Sequence, residues 1–278
     1  MNFIGADADF ADADIVLFGA PYDSTTSFRP GARFGSQAMR MESIGIETYS
    51  PYQCRDLCEV RAHDAGDLVL PFGAPEPALA IIEGKVEEIL AAGKIPVMLG
   101  GEHLVTLGAV RAAVKRFPSL HIIHFDAHAD LREDYLGNPL SHACVIRRCH
   151  DILGDGRIFQ FGIRSGTYEE FAFMKDGHVV TERFALKTVT QLLLPEGTPV
   201  YLTVDMDVLD PSEFPGTGTP EAGGVRFVEL LEAVRDVLAR FRVLAIDNVE
   251  LAPQIDATGR STALACKMLR EEMLAIRC

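Results

Sequence analysis

Residues 119–130 read SLHIIHFDAHAD, so an apolar run leads directly into two aspartates and a histidine at alternate positions. Side chains two residues apart in an extended chain lie on the same face, so Asp126, His128 and Asp130 are directed toward one place. Carboxylates held this close repel each other unless a cation lies between them. On its own, the segment leaves a metal site and an ordinary polar strand end equally open.

Two further segments offer metal-ligating residues. Asp205 and Asp207 follow an apolar run in TVDMDVLDP, and His103 follows IPVMLGG at 95–101. Each is weak alone, because a D-x-D pair is often a turn or a helix cap. Together they provide four carboxylates and two imidazoles, too many for one four-coordinate zinc ion. This oxygen-rich set favours two Mn²⁺ ions, which can hold a hydroxide between them. The predicted ligands are His103, Asp126, His128, Asp130, Asp205 and Asp207.

The elements that must hold these residues alternate between strands and helices. Strands are predicted at 15–21, 95–101, 120–128, 157–165, 199–207 and 243–251, where short apolar runs occur. Helices are predicted at 76–94, 104–117, 226–241 and 262–276, where apolar residues recur three and four positions apart. The alternation predicts an α/β fold, with three α/β/α layers and a central, mostly parallel sheet. We expect one domain over residues 1–278.

Ligands of such sheets bind beyond the carboxyl ends of the strands. The strings GGEH, DAHAD and DMD, together with Glu250, all stand at the ends of predicted strands. We therefore expect four strand ends to bring their polar residues to one site.

The composition limits the partners. The chain has 26 Lys and Arg against 40 Asp and Glu, a formal charge of −14, which argues against nucleic acid or an anionic membrane surface. The charge suits a small cationic substrate, although it also suits simple solubility. No apolar run reaches the roughly 18 residues of a membrane helix. The acidic N-terminus lacks the basic residues of an export signal. Six cysteines without a zinc-ribbon spacing predict reduced, mostly buried thiols in a cytoplasmic protein.

Longer strings carry a resemblance to a known family. They are SFRPGARFGSQAMR (27–40), GGEH (100–103), FDAHAD (125–130), SHACVIRR (141–148), GIRS (162–165), TVDMDVLDPSEFPGTGTPEAGG (203–224) and DNVELAP (247–253). With these strings, the chain resembles the ureohydrolases, the family of arginases and agmatinases. The resemblance implies an arginase-like fold, the six metal ligands named above and two Mn²⁺ per subunit. It also implies hydrolysis of a guanidino group to urea and an amine, and a homo-oligomer, either a trimer or a hexamer.

The resemblance assigns two catalytic roles. His142, in LSHA, matches a histidine at the mouth of the family's active site that relays a proton to the leaving amine. Glu250 matches the carboxylate that holds the guanidinium. Without the resemblance, Glu250 would be interpreted as a surface acid at a strand end.

Several other motifs are interpreted as structural. His124 lies on the same face as Asp126 but deeper in the strand, and is predicted as a hydrogen-bonded core histidine. Ser36 is predicted as a helix N-cap. Arg29 and Arg33 are predicted to be structural or at a subunit contact. No partners are predicted for four histidines, His63, His121, His150 and His178.

The substrate tail is less closely defined. Residues 131–141, LREDYLGNPLS, lack the dense Ser/Thr/Asn cluster by which arginases hold an α-carboxylate. Glu133 and Asp134 would suit the ammonium group of agmatine, which is the expected substrate. Arg132 could instead pair with the carboxylate of 4-guanidinobutyrate, and N1-aminopropylagmatine and arginine are further alternatives.

Two other classes of function are weighed against hydrolysis of a guanidino group. A dinuclear metallophosphatase also uses a D-x-H strand end, but no G-N-H-[DE] string follows it in this chain. An inactive binding protein would be expected to lack at least one metal ligand, and all six positions are filled.

Overall fold

The computed structural model describes residues 1–277, in which strands and helices alternate. The strands are β1 (Ile15–Ala20), β2 (Tyr49–Ser50), β3 (Arg55–Asp56), β4 (Ala62–Asp67), β5 (Ile95–Gly100), β6 (His121–Phe125), β7 (Ile158–Ile163), β8 (Val180–Arg183), β9 (Pro199–Asp205) and β10 (Arg242–Val249). The α-helices are α1 (Gly35–Glu42), α2 (Pro75–Ala91), α3 (Val105–Arg116), α4 (Val145–Leu153), α5 (Tyr168–Lys175), α6 (Phe227–Arg240) and α7 (Arg260–Ala275).

Eight of these strands form one sheet in the order β4-β1-β5-β10-β9-β6-β7-β8. Every neighbouring pair in it is parallel. Parallel neighbours require crossover connections, which the helices provide. The predicted fold class, an α/β fold with a mostly parallel central sheet, is confirmed.

Both faces of the sheet are covered by helices. In β1, Ile15 and Leu17 pack in one apolar core with residues of α1, α6 and α7. Val16 and Phe18, on the opposite face, pack in a second core with residues of α2, α3 and α4. All four side chains are buried, which explains why these strands are apolar at consecutive positions instead of alternating with polar residues. The three-layer arrangement follows from this double burial.

The register brings the polar strand ends together. Strands β5, β10, β9 and β6 are consecutive neighbours in the middle of the sheet. At their carboxyl ends, Val249 pairs with Asp205 and Phe125 pairs with Val204. Because all four strands run in the same direction, the residues that follow them meet at one edge of the sheet.

The predicted strands and helices are confirmed, and seven further strands and α-helices were missed, namely β2, β3, β4, β8, α1, α4 and α5. Strands β4 (AHDAGD) and β8 (VTER) are polar, because they lie at the two edges of the sheet and are only partly buried. Helices α1, α4 and α5 have only eight or nine residues, too few to display an apolar periodicity.

The predicted N-cap at Ser36 is wrong. Helix α1 begins at Gly35, so Ser36 lies inside its first turn, and Phe34 stands at the N-cap position. Ser36 is completely buried. A Cβ atom added at Gly19 would lie 2.9 Å from the Cβ of Ser36, so a small residue is required where α1 crosses β1.

Arg29 and Arg33 have structural contacts, in agreement with the first of their two predicted roles. Arg29 donates to the carbonyl oxygens of Thr217 and Gly218, and Arg33 pairs with Asp23.

The cysteine prediction is confirmed in part. Five cysteines are free, of which Cys144, Cys149 and Cys266 are buried, whereas Cys54 and Cys58 are exposed. Cys278 lies outside the described residues. Within residues 1–277, none of the helices combines the length and the apolar content needed to cross a bilayer.

Candidate metal centre and active site

The turn after β5 brings His103 beneath the neighbouring strand ends. A Cβ atom on Gly101 would lie 1.9 Å from the backbone oxygen of Tyr22, so only glycine allows the turn to pass this close. The Glu250 N–H donates to the Gly101 oxygen at 2.9 Å. Glu250 in turn accepts the His103 N–H through Oε1 at 2.8 Å. The glycine pair in GGEH therefore fixes both His103 and Glu250.

His103 faces three of the aspartates. Its Nδ1 lies 3.1 Å from an oxygen of Asp126, 3.1 Å from Asp130 and 3.3 Å from Asp205. On the other side of the ring, Nε2 lies 3.0 Å from the Thr203 hydroxyl, which fixes the ring orientation. Four of the six predicted ligands thus meet around one nitrogen atom.

The other two predicted ligands lie beside this group. His128 Nδ1 is 3.0 Å from Asp207 Oδ2 and 3.5 Å from Asp126 Oδ1. The Ala127 N–H donates to Asp207 at 3.2 Å, and the Asp207 N–H donates to Asp205 at 2.8 Å. Asp126 therefore contacts both histidines, as a carboxylate shared between two ions would.

For Asp205 and Asp130, burial and mutual repulsion make the charged form costly. Asp126 differs, because burial would raise its pKa but His103, His124 and His128 outweigh burial and lower the pKa well below its ordinary value. Burial, followed by the neighbouring Asp207 and Asp126, raises the pKa of Asp205 well above its ordinary value. Burial and Asp126 raise the pKa of Asp130 to about 7. Such groups need either protons or a cation, so the electrostatics favour bound positive charge.

The residues fit a pair of divalent cations. His103 Nδ1 is buried and makes no hydrogen bond of acceptable geometry, although three carboxylate oxygens surround it. Among residues 1–277, no Lys or Arg side chain forms an ion pair with Asp126, Asp130, Asp205 or Asp207. An unpartnered nitrogen among uncompensated oxygens is the expected environment of a metal ligand. Four carboxylates and two imidazoles suit Mn²⁺.

Two site residues have a strained backbone. Asp130 has a φ of 53° and Glu250 has a φ of 63°. Both values lie in the left-handed region, which residues other than glycine rarely adopt. Such strain is retained where the surrounding structure holds a side chain in a required direction. Glu250 directly follows β10, and Asp130 lies in the segment that follows β6.

His142 lies apart from the metal-ligating cluster and is held by residues 25–27. Its backbone N–H donates to Thr25 Oγ1 at 3.0 Å, and the Ser27 N–H donates to its Nε2 at 3.2 Å. Since Nε2 accepts a backbone proton, the neutral ring carries its own proton on Nδ1, which lies 3.9 Å from Glu250 Oε1. Burial, followed by the nearby His128 and His103, lowers the pKa of His142 to about 4.

Glu102 anchors the segment that holds His142, and sequence reasoning did not identify it. Its carboxylate accepts the Thr25 hydroxyl at 2.6 Å, the Thr25 N–H at 2.9 Å and the Thr26 hydroxyl at 3.1 Å. Its side chain is buried, and burial raises its pKa to about 7. The one available signal was its position next to His103 in GGEH.

A cavity of about 360 Å³ opens above these residues. Its lining includes His128, Asp130, His142 and Glu250 on the inner side and Arg132, Tyr135, Glu170 and Glu221 toward the surface. The cavity can therefore present a small molecule to the metal-ligating cluster, His142 and Glu250 together.

Residues 13–275 match the Arginase family. The chain belongs to the arginase family. It is an enzyme of the ureohydrolase type, so the metallophosphatase alternative is not supported.

Individual members of the arginase family align over nearly the whole ureohydrolase chain. The agmatinase of Bacillus subtilis is 45% identical over 275 residues, which are 98% of this chain and 95% of that protein. The N(1)-aminopropylagmatine ureohydrolase of Thermococcus kodakarensis is 39% identical over 265 residues, 92% of this chain and 88% of that protein. The crystal structure of agmatine ureohydrolase of Thermoplasma volcanium has a TM-score of 0.91 at 32% identity, covering 99% of this chain and 93% of that one.

The prediction that Glu133 or Asp134 binds the substrate tail of this ureohydrolase is corrected. Neither residue lines the cavity. Glu133 is exposed and pairs with Arg147 at 3.3 Å, and Asp134 accepts the Gly137 N–H at 2.8 Å in a surface turn. The loop turns both acids away from the site, a direction that the order of residues does not reveal.

Glu221 is the half-exposed acid at the cavity mouth. Its Oε1 accepts the Ser165 hydroxyl at 2.8 Å and lies 4.0 Å from His128 Nε2, and its side chain is 41% exposed. Arg164 donates to its backbone oxygen at 2.9 Å, which fixes the segment. In the sequence, Glu221 lies within the 203–224 string that carries the family resemblance, and no role was predicted for it.

Arg132 lines the same cavity but is already paired. Its Nε lies 3.6 Å from Glu170 Oε2, and its guanidinium stands over the Tyr135 ring, 5.2 Å from the centroid. Part of its charge is therefore neutralised within the chain.

The histidines outside the predicted site divide into two groups. His124 is buried and bonded to Asp126 at 2.8 Å and to Gln160 at 3.1 Å, so its prediction as a hydrogen-bonded core histidine is confirmed. The expectation that His63, His150 and His178 lack partners is wrong, because His63 bonds to the Ala8 oxygen at 2.8 Å and the other two bond to Asp155.

Proposed function

We propose that this ureohydrolase is an agmatinase, which hydrolyses the guanidino group of agmatine to putrescine and urea at two Mn²⁺ ions. The observation that carries the proposal is a cavity with a carboxylate at each end, the buried Glu250 on the inner side and the half-exposed Glu221 at the mouth. Agmatine has a guanidinium at one end and an ammonium at the other. The similarity to the agmatinase of Bacillus subtilis supports the same assignment.

The proposed ligands of the two ions are His103, Asp126, His128, Asp130, Asp205 and Asp207. When bound, the ions supply a water nucleophile that is reactive at neutral pH and cancel the charge of the four aspartates. Asp126, whose two oxygens lie near His103 and His128, would help to hold the ions from both sides of the cluster.

Glu250 is the proposed partner of the guanidinium. Burial, followed by the nearby Glu102, raises the pKa of Glu250 well above its ordinary value. A guanidinium would stabilise the ionised form, since its planar N–H groups match the two oxygens of a carboxylate. The His103 N–H at 2.8 Å holds the carboxylate in position before substrate binds.

His142 is the proposed proton relay. In the reaction, the water oxygen forms a bond to the guanidino carbon while the bond from that carbon to the alkyl-substituted nitrogen breaks. The protons of water are retained, so the guanidinium and one water give urea and an alkylammonium ion. His142 Nδ1 lies 3.9 Å from Glu250 and can move a proton to the leaving nitrogen.

Glu221 is the proposed partner of the ammonium tail. Glu170, the other acid near the mouth, already pairs with Arg132 and accepts the N–H groups of Leu131 and Thr167 at 2.9 and 2.7 Å. Glu221 keeps a half-exposed carboxylate. An α-carboxylate, as in arginine, would meet Glu221 with like charge, and Glu170 would compete for Arg132. We therefore expect selectivity mainly through rejection of a carboxylate tail.

A panel of guanidino substrates tests the proposal. With Mn²⁺, kcat/KM for agmatine is expected to exceed that for arginine by at least about 100-fold, equivalent to roughly 2.7 kcal/mol. Urea release from agmatine, arginine, 4-guanidinobutyrate and N1-aminopropylagmatine provides the measurement. Comparable values for agmatine and arginine, or a preference for 4-guanidinobutyrate that Arg132→Met removes, would contradict the assignment.

The role of Glu221 has its own test. Glu221→Gln is expected to lower kcat/KM for agmatine about two- to fivefold and to make the ratio of kcat/KM for agmatine to that for arginine smaller. Glu133→Gln is the matched control and should leave both values unchanged, since that side chain lies outside the cavity. If Glu133→Gln lowered kcat/KM for agmatine and Glu221→Gln did not, the carboxylate that binds the ammonium tail would instead lie in the 131–141 loop.

We also propose that residues 1–278 form one ureohydrolase domain, since a single eight-stranded sheet contains strands from residue 15 to residue 249. The homo-oligomer and the cytoplasmic location stay predictions.

A further inference from the structure

A second cluster of metal-ligating side chains lies on the surface, formed by His150, Asp155 and His178. His150 Nε2 lies 2.7 Å and His178 Nδ1 lies 2.9 Å from the same oxygen, Oδ1 of Asp155. These three ligand atoms all lie within 4.8 Å of one another. None of the three residues is among those that line the cavity.

The backbone holds the three residues in place on both sides of Asp155. The Gly154 N–H donates to the His150 oxygen at 2.8 Å, and the Gly156 N–H donates to the His178 oxygen at 3.3 Å. Both glycines have a positive φ, 80° and 73°, which lets the turn project Asp155 between the two histidines. The arrangement therefore does not depend on the side-chain hydrogen bonds alone.

Phe173 on α5 fixes both imidazole rings. The ring of His178 stacks on it at a centroid distance of 4.3 Å, and the ring of His150 meets its edge at 4.9 Å. Arg147 covers the ring of Phe173, 4.5 Å from the centroid. Two of the three ligand atoms are thus oriented by packing before any ion binds, while Asp155, whose side chain is 64% exposed, can adjust.

We propose that His150, Asp155 and His178 form a third cation site, selective for a divalent transition metal ion such as Zn²⁺. Two imidazole nitrogens and one carboxylate oxygen are the ligand set of many zinc sites, with water at the open position. This set suits Zn²⁺, Ni²⁺ or Cu²⁺ better than Mg²⁺ or Ca²⁺. The outward-facing Asp155 leaves the site open to solvent.

The affinity is expected to be moderate. His150 Nδ1 is buried and has no hydrogen-bond partner among the described residues, so no outer group reinforces that ligand. Loss of such support typically weakens metal binding about 10–100-fold. We therefore expect dissociation constants of roughly micromolar order.

The site would tie together elements next to the catalytic machinery. His150 lies in the last turn of α4, the helix that directly follows the turn His142–Cys144. His178 precedes the edge strand β8. An ion held here would brace α4 against the edge of the sheet and raise the thermal midpoint by an amount that depends on zinc concentration.

Equilibrium dialysis of the manganese-loaded enzyme against ZnCl₂ tests the proposal, with zinc and manganese counted per chain. Zinc that replaces manganese at the catalytic cluster is recognised by the manganese lost. Excess zinc is the zinc bound per chain minus the manganese lost per chain. We expect about one excess zinc per chain in the wild type. The same value is expected in the control His63→Ala, which removes a histidine whose ring contacts a backbone oxygen. His178→Ala and Asp155→Asn are expected to bind no excess zinc and to keep normal urea release.

Equal excess zinc in His178→Ala and wild type, or no excess zinc in the wild type up to about 100 µM, would overturn the site. Thermal melts give a second readout. Zinc is expected to raise the midpoint of the wild type by about 2–4 °C and to leave Asp155→Asn unchanged. A midpoint shift of equal size in both proteins would also overturn it. Neither result depends on the substrate proposed above.

Discussion

Asp64, on the edge strand β4, and Asp205, at the end of the central strand β9, are both buried aspartates in very different surroundings. Asp64 receives a two-pronged contact from Arg40, at 2.8 and 2.9 Å, and accepts the N–H groups of Phe3 at 2.9 Å and Gly66 at 3.0 Å. Asp205 faces His103 and lies with three other aspartates.

The pKa values of the two residues move in opposite directions. Burial alone would raise the pKa of Asp64, but Arg40 and the Phe3 N–H outweigh burial and lower it. For Asp205, burial and the neighbouring Asp207 act together and raise the pKa well above its ordinary value. A buried carboxylate that serves only the fold is thus compensated by the chain itself. Within residues 1–277, the cluster at the strand ends has only histidines and no Arg or Lys to compensate four aspartates, which points to ions supplied from solution.

The largest expected effect comes from removing the carboxylate that contacts both histidines of the cluster. Asp126→Ala is expected to lose bound manganese and to reduce urea release by at least about 10⁴-fold, because the activated nucleophile depends on the ions. Metal content per chain and urea release, measured on the same sample, provide the test. Asp134→Ala, at an exposed turn, is the control. Full metal occupancy in Asp126→Ala would contradict its assignment as a ligand.

Replacing His142 is expected to affect proton transfer without affecting metal binding. His142→Ala is expected to keep both ions and to lose roughly 10²–10⁴-fold in kcat, the usual range for a group that transfers protons. Loss of manganese from this variant would mean that His142 supports the cluster instead of the proton transfer.

The ion pair of Asp64 and Arg40 is the compensated member of the comparison with Asp205. Asp64→Asn leaves the buried Arg40 with only its contact to the partly exposed Asp67 and is expected to lower the free energy of unfolding by roughly 1–3 kcal/mol. Because the folded pKa of Asp64 lies below the unfolded value, this stabilisation is complete above about pH 5 and is lost as the pH falls through the folded pKa. Denaturant unfolding of both proteins from pH 7 down to pH 3 would measure the narrowing difference. A difference that does not change with pH would contradict this linkage.

A smaller effect on kcat is expected from Thr25, through which the buried Glu102 positions His142. Thr25 links Glu102 to the backbone N–H of His142. Thr25→Val is expected to lower kcat about tenfold with little change in KM or metal content, since a misplaced proton-transfer group mainly affects the chemical step. Thr25→Ser, which keeps the hydroxyl, should restore most of the rate. Equal losses in both variants would indicate a role in packing only.

The sequence is most informative where one segment carries the whole signal. The central strands are predictable because both of their faces are buried, so the residues are apolar at consecutive positions. Asp126, His128 and Asp130 are predictable as a group because they are adjacent in the chain and follow such a strand. The strands β4 and β8 escape prediction because an edge strand is partly solvated and can be polar.

Contacts between distant segments are not encoded in any local pattern. The bond between Thr25 and Glu102 spans 77 residues, and the bond between Asp155 and His178 spans 23. The direction of a loop side chain is equally hidden. Glu133 and Glu221 are both acids near predicted site residues, yet only Glu221 lines the cavity. These features depend on how the whole chain folds, and the structure is needed to find them.

The measurement that tests the central claim most directly is the thermal midpoint of Asp205→Asn and of the wild type, each with and without manganese. Without metal, the variant is expected to be as stable as the wild type or more stable by a few degrees. The asparagine removes one uncompensated buried charge and can still accept the Asp207 N–H. With manganese, the order is expected to reverse, because the ions stabilise only the complete set of ligands. A metal-free Asp205→Asn protein that is clearly less stable than the metal-free wild type would contradict the claim that this cluster is compensated by bound ions.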